Sequence, residues 1–288
     1  MDGTAGTAPK HAQAQAGTPG RVVYRHSVAT RATHWVTFVA LIVLVMSGLQ
    51  IFNAAPYLDA SDKSDPARRV LSIEGRDTAT GSVGVTTVFG HEITTTHLLG
   101  YTDDGQGGGN ETPRAFPGWM TFPGYQDLAG GRRWHFFFAW IFVIAGGIYL
   151  IFGGVAKELP LIILRPSDVP KMWPMQAYYL RLRKEPPDHG KYNPLQKAGY
   201  TAVLFVLAPF VIVTGLALAP GFDAIAHPVV WLLGGRQFAR TWHFVAMLAF
   251  IGFFFGHVFL VVSTGFLNNM RSMIAGSYRL GEHEGTGP

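Results

Sequence analysis

Two histidines in one apolar stretch of the chain, His243 and His257, are spaced so that a helix would present both on one side. An α-helix turns about 100° per residue, so a separation of 14 residues leaves the two side chains about 40° apart around the axis. The same separation is a rise of about 21 Å, most of the thickness of a bilayer core. One helix could therefore offer an imidazole near each surface of a membrane.

Two further histidines could complete two pairs. His34 stands near the start of the first apolar stretch and His135 near the start of the second. Imidazole is the commonest metal ligand in proteins and holds haem iron in several families. One histidine near the end of an apolar stretch is more often a packing or interfacial residue, but four that match at two depths predict two stacked haems, each held by two histidines. Such a chain would conduct electrons across a membrane.

The chain contains no cysteine. This excludes covalently attached c-type haem, cysteine-ligated iron–sulfur clusters and disulfides within the chain. Haem held by histidine alone remains possible chemically, and any iron–sulfur relay would have to lie on a partner.

Four apolar stretches must position the histidines. Of the 288 residues, 48% are hydrophobic and 14% are charged, against about 25% charged in a soluble protein. The stretches are roughly 33–55, 134–155, 197–220 and 240–264, with charged residues only at their ends. Each is about 20 residues or longer and can cross a bilayer as a helix. The predicted fold class is an all-α membrane protein, a four-helix transmembrane bundle.

Basic residues predict the orientation of this bundle. Those expected on one common side are Arg21, Arg25, Arg31, Lys157, Arg165, Lys171, Arg181, Arg183, Lys184, Lys191, Lys197, Arg271 and Arg279. Loops rich in Lys and Arg stay in the cytoplasm, so both termini are expected inside, and segments 56–131 and 221–239 outside. His34 and His257 then meet near the inner face, and His135 and His243 near the outer face.

The outer segment 56–131 is too long for a simple connection. Its run Val83–Phe89 could form strands, and Gly107–Gly109 with Pro117 predict turns. We interpret the segment as a small ordered cap that docks a partner protein; the alternative is a mobile loop without a role.

Glycines near the histidines fit the haem hypothesis. A haem between helices needs close backbone approach, which small residues permit. Gly48, 14 residues after His34, and Gly215 are expected at the level of the outer haem, in the similar settings Met46–Leu49 and Val213–Leu216. Ordinary helix packing is the alternative.

Arginines at the ends of the stretches could neutralise haem propionates, because Arg binds a carboxylate through two parallel hydrogen bonds. Arg133 is the main candidate, with Arg31, Arg132 and Arg240 as others. The alternative for each is a role in topology or in lipid headgroup contact.

The chain resembles the bacterial di-haem cytochrome b subunits of membrane-bound formate dehydrogenase, nickel–iron hydrogenase and thiosulfate reductase. The resemblance covers about 25–275 apart from the outer segment. The motifs that carry it are Arg31-Ala32-Thr33-His34-Trp35, Arg133-Trp134-His135, Arg240-Thr241-Trp242-His243 with His257, and His189-Gly190-Lys191-Tyr192-Asn193-Pro194-Leu195-Gln196-Lys197. The expected domains are a disordered cytoplasmic N-terminus (1–24), a four-helix cytochrome b domain (25–275) and a cytoplasmic tail (276–288).

The resemblance implies electron transfer through two b-type haems between the quinone pool of the inner membrane and a catalytic subunit on the periplasmic side. That partner would be a molybdopterin oxidoreductase or a hydrogenase, with or without an iron–sulfur subunit, and this chain would not transform the partner's substrate. The family's quinone pocket maps to Asn193 as hydrogen-bond donor, with Gln196 and Lys197 nearby. His189 is a candidate proton carrier, since imidazole titrates near neutral pH. The alternative for this stretch is a loop-to-helix cap.

Two other classes of function remain open from the sequence. The histidines could act as relays in a proton channel or transporter, because ionisable residues inside membranes often mark such paths. The chain could also be a purely structural anchor for a peripheral enzyme. Membrane lipid is an expected partner in every case, and nucleic acid in none.

Overall fold

A computed structural model describes residues 22–190 and 192–279, so Arg21 and Lys191 lie outside the described residues. The helices are α1 (Val28–Phe52), α2 (Leu128–Val155), α3 (Leu159–Ile162), α4 (Met172–Tyr179), α5 (Pro194–Thr201), α6 (Ala208–Ala217), α7 (Pro220–Leu232), α8 (Arg236–Ser263) and α9 (Phe266–Ala275). A π-helical stretch, Ala202–Leu207, joins α5 to α6. Four segments are long and apolar enough to cross a membrane, namely α1, α2, the continuous Pro194–Ala217 and α8. The four predicted spans are confirmed as helices of that kind.

The chain divides into two compact units, one formed by residues 22–31 with 258–279 and the other by Ala32–His257. In the first unit, β1 (Val22–Tyr24) pairs antiparallel with β8 (Ser277–Arg279). The Arg25 guanidinium lies 4.2 Å from the centre of the Tyr278 ring. Of the N-terminus predicted to be disordered, 1–21 lie outside the described residues and Val22–Tyr24 form a strand. Residues 280–288 of the predicted tail also lie outside the description.

The second unit contains the β-structure of segment 56–131. Strands β2 (Tyr57–Asp59), β3 (Arg69–Thr78), β4 (Gly81–Val88) and β5 (His91–Thr94) form an antiparallel sheet in that order, and β6 (Gly100–Asp103) pairs with β7 (Glu111–Arg114). Of the run 83–89 that was expected to form strands, Val83–Val88 lies in β4 and Phe89 lies in the following turn. The description "all-α" is therefore too narrow, because the chain is mostly helical with small sheets. We call this strand-rich segment the cap.

The cap is fastened to the C-terminal end of α1. Leu49 and Phe52 of α1 share a buried apolar cluster with Leu58, Ile73 and Phe116 of the cap. Polar side chains add a second layer, because Asn53 exchanges hydrogen bonds with the backbone of Phe116, donating to its carbonyl (3.3 Å) and accepting from its N–H (2.8 Å). The cap thus continues the core of α1.

Arg114 connects three parts of this junction from a buried position. Its guanidinium donates to the Asp104 carbonyl (2.8 Å), Gln50 Oε1 (3.0 Å) and Thr121 Oγ1 (2.8 Å). Burial lowers the pKa of Arg114, while Asp103 and Asp104 oppose that shift. The five donors of a planar guanidinium suit such a divergent set of acceptors.

The middle of the helical part is an apolar layer. Ala40, Phe142 and Phe250 are buried together, with the Phe142 and Phe250 rings edge to face at 6.1 Å between centres. Phe250 stands seven residues from both His243 and His257, so the layer lies midway between the two histidine depths. It separates those depths with hydrocarbon side chains.

The outward faces of the long helices are apolar and uncovered. Only 6% of the apolar window of α2 is buried inside the structure, and 11% of that of α8. Large side chains such as Trp140, Ile144 and Ile151 are exposed along α2. An apolar surface of this extent is unfavourable in water and is typical of helices that face lipid.

Candidate functional site

The four predicted histidines form two pairs. The His34 and His257 rings have centres 6.3 Å apart, and the His135 and His243 rings have centres 6.1 Å apart. We call these the inner pair and the outer pair, after the sides on which the basic residues predict them. Each pair joins α8 to a different helix, α1 for the inner pair and α2 for the outer pair. The pairing expected from depth is therefore the pairing found.

The separation within each pair fits a metal held from opposite sides. A metal–imidazole bond of about 2 Å places the two ligating nitrogens about 4 Å apart and the ring centres about 6 Å apart. In the described part of the chain, no group of three or more His, Asp or Glu side chains could hold a metal ion. Two imidazoles alone leave an iron's other positions open, and a porphyrin fills them.

The outer pair is held by two hydroxyl residues in equivalent positions. Ser47 Oγ of α1 lies 3.1 Å from His135 Nδ1, and Thr214 Oγ1 of α6 lies 3.1 Å from His243 Nδ1. The Val211 carbonyl also lies 3.1 Å from His243 Nδ1. Ser47 and Thr214 are both fully buried. These hydroxyls orient the rings, and sequence analysis did not identify them as site residues.

The glycines that follow these hydroxyl residues lie against the same rings. A Cβ on Gly48 would be 3.4 Å from His135 Cε1, and one on Gly215 would be 3.1 Å from His243 Cε1. A side chain at either glycine would therefore crowd an outer-pair ring. The sequence Ser-Gly on α1 is thus matched by Thr-Gly on α6.

The inner pair has a different environment. His34 Nδ1 is buried and has no hydrogen-bond partner among the residues described. Trp35 packs edge-on against His34 with ring centres 5.2 Å apart, and Phe253 stacks on His257 at 5.7 Å. Aromatic contacts therefore hold these rings within the described part of the chain.

The arginines proposed to bind haem propionates differ in whether their guanidinium groups already contact other residues. Arg133 is exposed, with no hydrogen bond or ion pair to any residue in 22–190 or 192–279. Arg240 is engaged, because its guanidinium donates to the Ala55 carbonyl and lies 5.5 Å from the centres of the Phe52 and Tyr57 rings. Arg132 lies 5.9 Å from the centre of the Phe136 ring. Arg133 is therefore the freest of these three cations.

The stretch proposed for quinone forms the start of α5. Asn193 Oδ1 accepts from the Gln196 N–H (2.9 Å), and Gln196 Oε1 accepts from the Asn193 N–H (3.1 Å). This is a capping box, completed by Pro194 at the first helical position. Asn193 Nδ2 also donates to Tyr179 Oη (2.9 Å). Burial raises the pKa of Tyr179, and the bond from Asn193 opposes that shift.

Lys197 and His189 are placed differently from each other. Lys197 Nζ lies 3.0 Å from both oxygens of the Asp168 carboxylate, and both side chains are largely buried. His189 is exposed, and its Nδ1 lies 2.9 Å from the neighbouring Gly190 carbonyl. Asp168 and Tyr179 are partners that the sequence did not reveal, since each is remote in the chain from α5.

Comparison with known proteins identifies relatives of the whole helical part. Residues 25–276 match the family model described as prokaryotic cytochrome b561. A protein of Azospira oryzae, provisionally named protein-methionine-sulfoxide reductase subunit YedZ1, is 26% identical over 239 residues, 82% of this chain and 89% of its own length. Provisionally named Ni/Fe-hydrogenase b-type cytochrome subunits of Azotobacter vinelandii and Azotobacter chroococcum are 30% and 29% identical over 160 residues, 51% of this chain and 67% of theirs.

Proposed function

The chain belongs to the prokaryotic cytochrome b561 family, and we propose that it conducts electrons across a bacterial inner membrane, through two b-type haems, between quinone and a catalytic partner subunit. The family and the relatives support a membrane electron-transfer subunit that carries b-type haem. The proposal of two haems rests on the distances between ring centres within the two histidine pairs, 6.3 Å and 6.1 Å.

His34 and His257 would hold one haem, and His135 and His243 the other. Bound haem would supply reversible one-electron exchange at its iron. The residues contribute by fixing ring orientation, by leaving room for a flat ligand at Gly48 and Gly215, and by excluding water between the two depths through the Phe142 and Phe250 layer. Arg133 is proposed as a counter-charge for a propionate of the haem at the outer pair.

We place the quinone at the start of α5, beside the inner pair. A Cβ on Gly199 of α5 would lie 3.8 Å from the Phe253 ring, which in turn stacks on His257. Asn193 uses one Nδ2 hydrogen for Tyr179, and the other is proposed to donate to a quinone carbonyl. Gln196 and Lys197 support this turn through the capping box and the Asp168 pair. His189, exposed at the same loop, is the proposed proton carrier.

The partner is proposed to dock on the cap, on the periplasmic side. The relatives are named as subunits of a methionine-sulfoxide reductase and of Ni/Fe hydrogenases, so a molybdopterin oxidoreductase or a hydrogenase, with or without an iron–sulfur subunit, fits the proposal. Phe244, next to His243, packs against the apolar cluster shared by α1 and the cap. A protein bound to the cap would thus be close to the outer pair.

Haem counting tests the two-haem arrangement. The purified chain should be red, with a b-type spectrum and two haems per chain. His243→Ala and His257→Ala should each lower the count towards one, because each removes one ligand of a different pair. The exposed His227, hydrogen-bonded to Asp223, provides the control, and His227→Ala should keep both haems.

A colourless chain that conducts protons would instead favour the histidine relay, and quinone-linked activity that survives His243→Ala would favour the structural anchor.

A single substitution separates the quinone role of Asn193 from its capping role. Asp is as good an N-cap as Asn, so Asn193→Asp should preserve the start of α5 but lack the amide donor. We expect it to retain both haems while quinol reduces them much more slowly than in the wild type. If quinol reduced the haems of Asn193→Asp as fast as those of the wild type, the proposed hydrogen bond would be contradicted.

A further inference from the structure

We infer that Ser47 and Thr214 are positioning residues for the outer pair, whose hydroxyls keep the His135 and His243 rings protonated at Nδ1 and lower the redox potential of the haem between them. The inference rests on the proposed function, since it requires a haem at this pair. The evidence is an arrangement that occurs on both α1 and α6, in which a buried hydroxyl oxygen lies 3.1 Å from Nδ1 of an outer-pair histidine.

The hydroxyl hydrogens in this geometry are already committed. Ser47 Oγ donates to the Val43 carbonyl (2.6 Å), and Thr214 Oγ1 donates to the Phe210 carbonyl (2.8 Å). A hydroxyl has a single hydrogen, so towards the imidazole each oxygen can only accept. We therefore assign the proton to Nδ1 of each ring, with the hydroxyl oxygen as the acceptor. The Val211 carbonyl beside His243 Nδ1 requires the same assignment, because a carbonyl cannot donate.

This assignment leaves Nε2 of both outer rings as the nitrogen for iron. An imidazole whose other N–H donates a hydrogen bond is a more basic ligand. A more basic ligand favours the oxidised iron, which carries more positive charge, so the redox potential falls. Loss of a hydroxyl removes one acceptor at Nδ1 and should raise the potential, although at His243 the Val211 carbonyl remains as an acceptor.

The inner pair lacks such a hydroxyl among the described residues, so the redox potential of its haem serves as a reference within the same molecule. His34 Nδ1 has no hydrogen-bond partner in the part of the chain that the structure describes. A change at Ser47 or Thr214 should accordingly move one of two redox potentials and leave the other in place.

The test uses the full chain, purified with its haems, and follows the b-type absorbance during a potentiometric titration. Thr214→Val removes the hydroxyl at nearly constant volume, and Ser47→Ala does the same on α1. Each should retain two haems and show one potential shifted upwards. Thr214→Ser keeps the hydroxyl and should titrate like the wild type.

Ser263→Ala is the matched control. The Ser263 hydroxyl donates to the Phe259 carbonyl four residues earlier (2.8 Å), as Ser47 does to Val43, but bonds no imidazole among the described residues. It should leave both potentials unchanged.

Three results would overturn the inference: unchanged potentials in both Thr214→Val and Ser47→Ala, a shift of both potentials together, or equal loss of haem from Thr214→Val and Thr214→Ser. Loss of one haem from Thr214→Val but not from Thr214→Ser would support the positioning role of the hydroxyl, and Ser47→Ala would then test the redox potential. Fewer than two haems in the wild type would refute the proposed function itself, and would be visible before any variant is compared.

Discussion

Asp168 and Lys197 form a largely buried ion pair, with Lys197 Nζ 3.0 Å from a carboxylate oxygen. The carboxylate also accepts the Arg165 backbone N–H at 3.0 Å. That hydrogen bond, followed by the Lys197 ammonium, lowers the pKa of Asp168 below its ordinary value. A carboxyl group whose pKa is lower in the folded state stabilises the fold when ionised and ceases to do so when protonated. The pair therefore joins the segment before α4 to the first turn of α5 in a pH-dependent way.

We predict that Asp168→Asn lowers the free energy of unfolding by about 1–3 kcal/mol at neutral pH, because Lys197 then loses its charged partner. The contribution of Asp168 is complete above the ordinary aspartate pKa of about 3.9 and disappears as the pH falls through the lowered value. The difference between wild type and variant should therefore shrink only in acid. Thermal unfolding in detergent from neutral to acidic pH measures it.

The control for this prediction is Asp188→Asn, a change at an exposed carboxylate in the loop before α5. A surface substitution of this kind should alter stability by less than about 0.5 kcal/mol. Equal effects of the two substitutions, or a difference that persists in strong acid, would contradict a role for the ion pair.

At the scale of residues, helical spacing was sufficient to predict which histidines meet. His243 and His257 lie on one helix, so their geometry follows from the helix itself, and depth matching then selects His135 and His34. The partners of Asn193 and Lys197 could not be predicted in the same way. Tyr179 and Asp168 approach α5 through tertiary packing of a loop region that has no periodic pattern.

At the scale of helices, the close contacts of Gly48 and Gly215 with the outer rings differ in tightness. We predict that Gly215→Ala disturbs the outer pair more than Gly48→Ala, because its Cβ would lie 3.1 Å from His243 Cε1, against 3.4 Å for Gly48 and His135. The His243 ring would have to shift by a few tenths of an ångström. Low-spin haem signals in electron paramagnetic resonance spectra report such a change in ligand orientation.

Gly252→Ala on α8 is the control for these two substitutions, because Gly252 is exposed and its added Cβ would meet no atom within 4 Å outside its own stretch of helix. It should preserve both haem signals. If Gly252→Ala and Gly215→Ala perturb the spectrum to the same degree, ordinary helix flexibility rather than ring contact explains the glycines.

The junction between α1 and the cap depends on Arg114. We predict that Arg114→Met destabilises the cap by about 3 kcal/mol, since Gln50 and the Asp104 carbonyl lose a charged donor while buried. Faster proteolysis of the exposed glycine run Gly107–Gly109, with haem content unchanged, would report local loosening. Arg76→Met provides the comparison, because Arg76 pairs with Glu92 at 2.9 Å on the cap surface, where an ion pair contributes about 0–1 kcal/mol. Similar proteolysis rates for the two variants would argue against Arg114 as the anchor.

The sequence predicted the helical elements better than the strands. Long uncharged stretches specify membrane helices almost by length alone, and four were expected and found. In the cap only β4 has a clear run of β-branched residues; β3 includes Glu74, Arg76 and Asp77 and is recognisable only beside its partners. The strand Val22–Tyr24 was missed because its partner, Ser277–Arg279, lies at the other end of the chain.

At the scale of the whole molecule, the positive-inside rule predicts which histidine pair faces which compartment. Basic residues are concentrated in the connection between α2 and α5, including the exposed Arg181, Arg183 and Lys184. Short loops of this kind remain in the cytoplasm. The cap would then lie outside with the outer pair, and the proposed quinone region would lie inside. If the orientation were reversed, the partner and quinone ends of the pathway would exchange compartments.

The absence of cysteine makes this orientation directly measurable. We predict that a membrane-impermeant maleimide labels Asn110→Cys, exposed on the cap, in intact spheroplasts, and labels Arg183→Cys only after lysis. The unaltered chain is the background control, because it offers no thiol. The reverse labelling pattern would place the cap in the cytoplasm and refute a periplasmic partner, whereas the haem count of the same preparations would still test the histidine pairs independently.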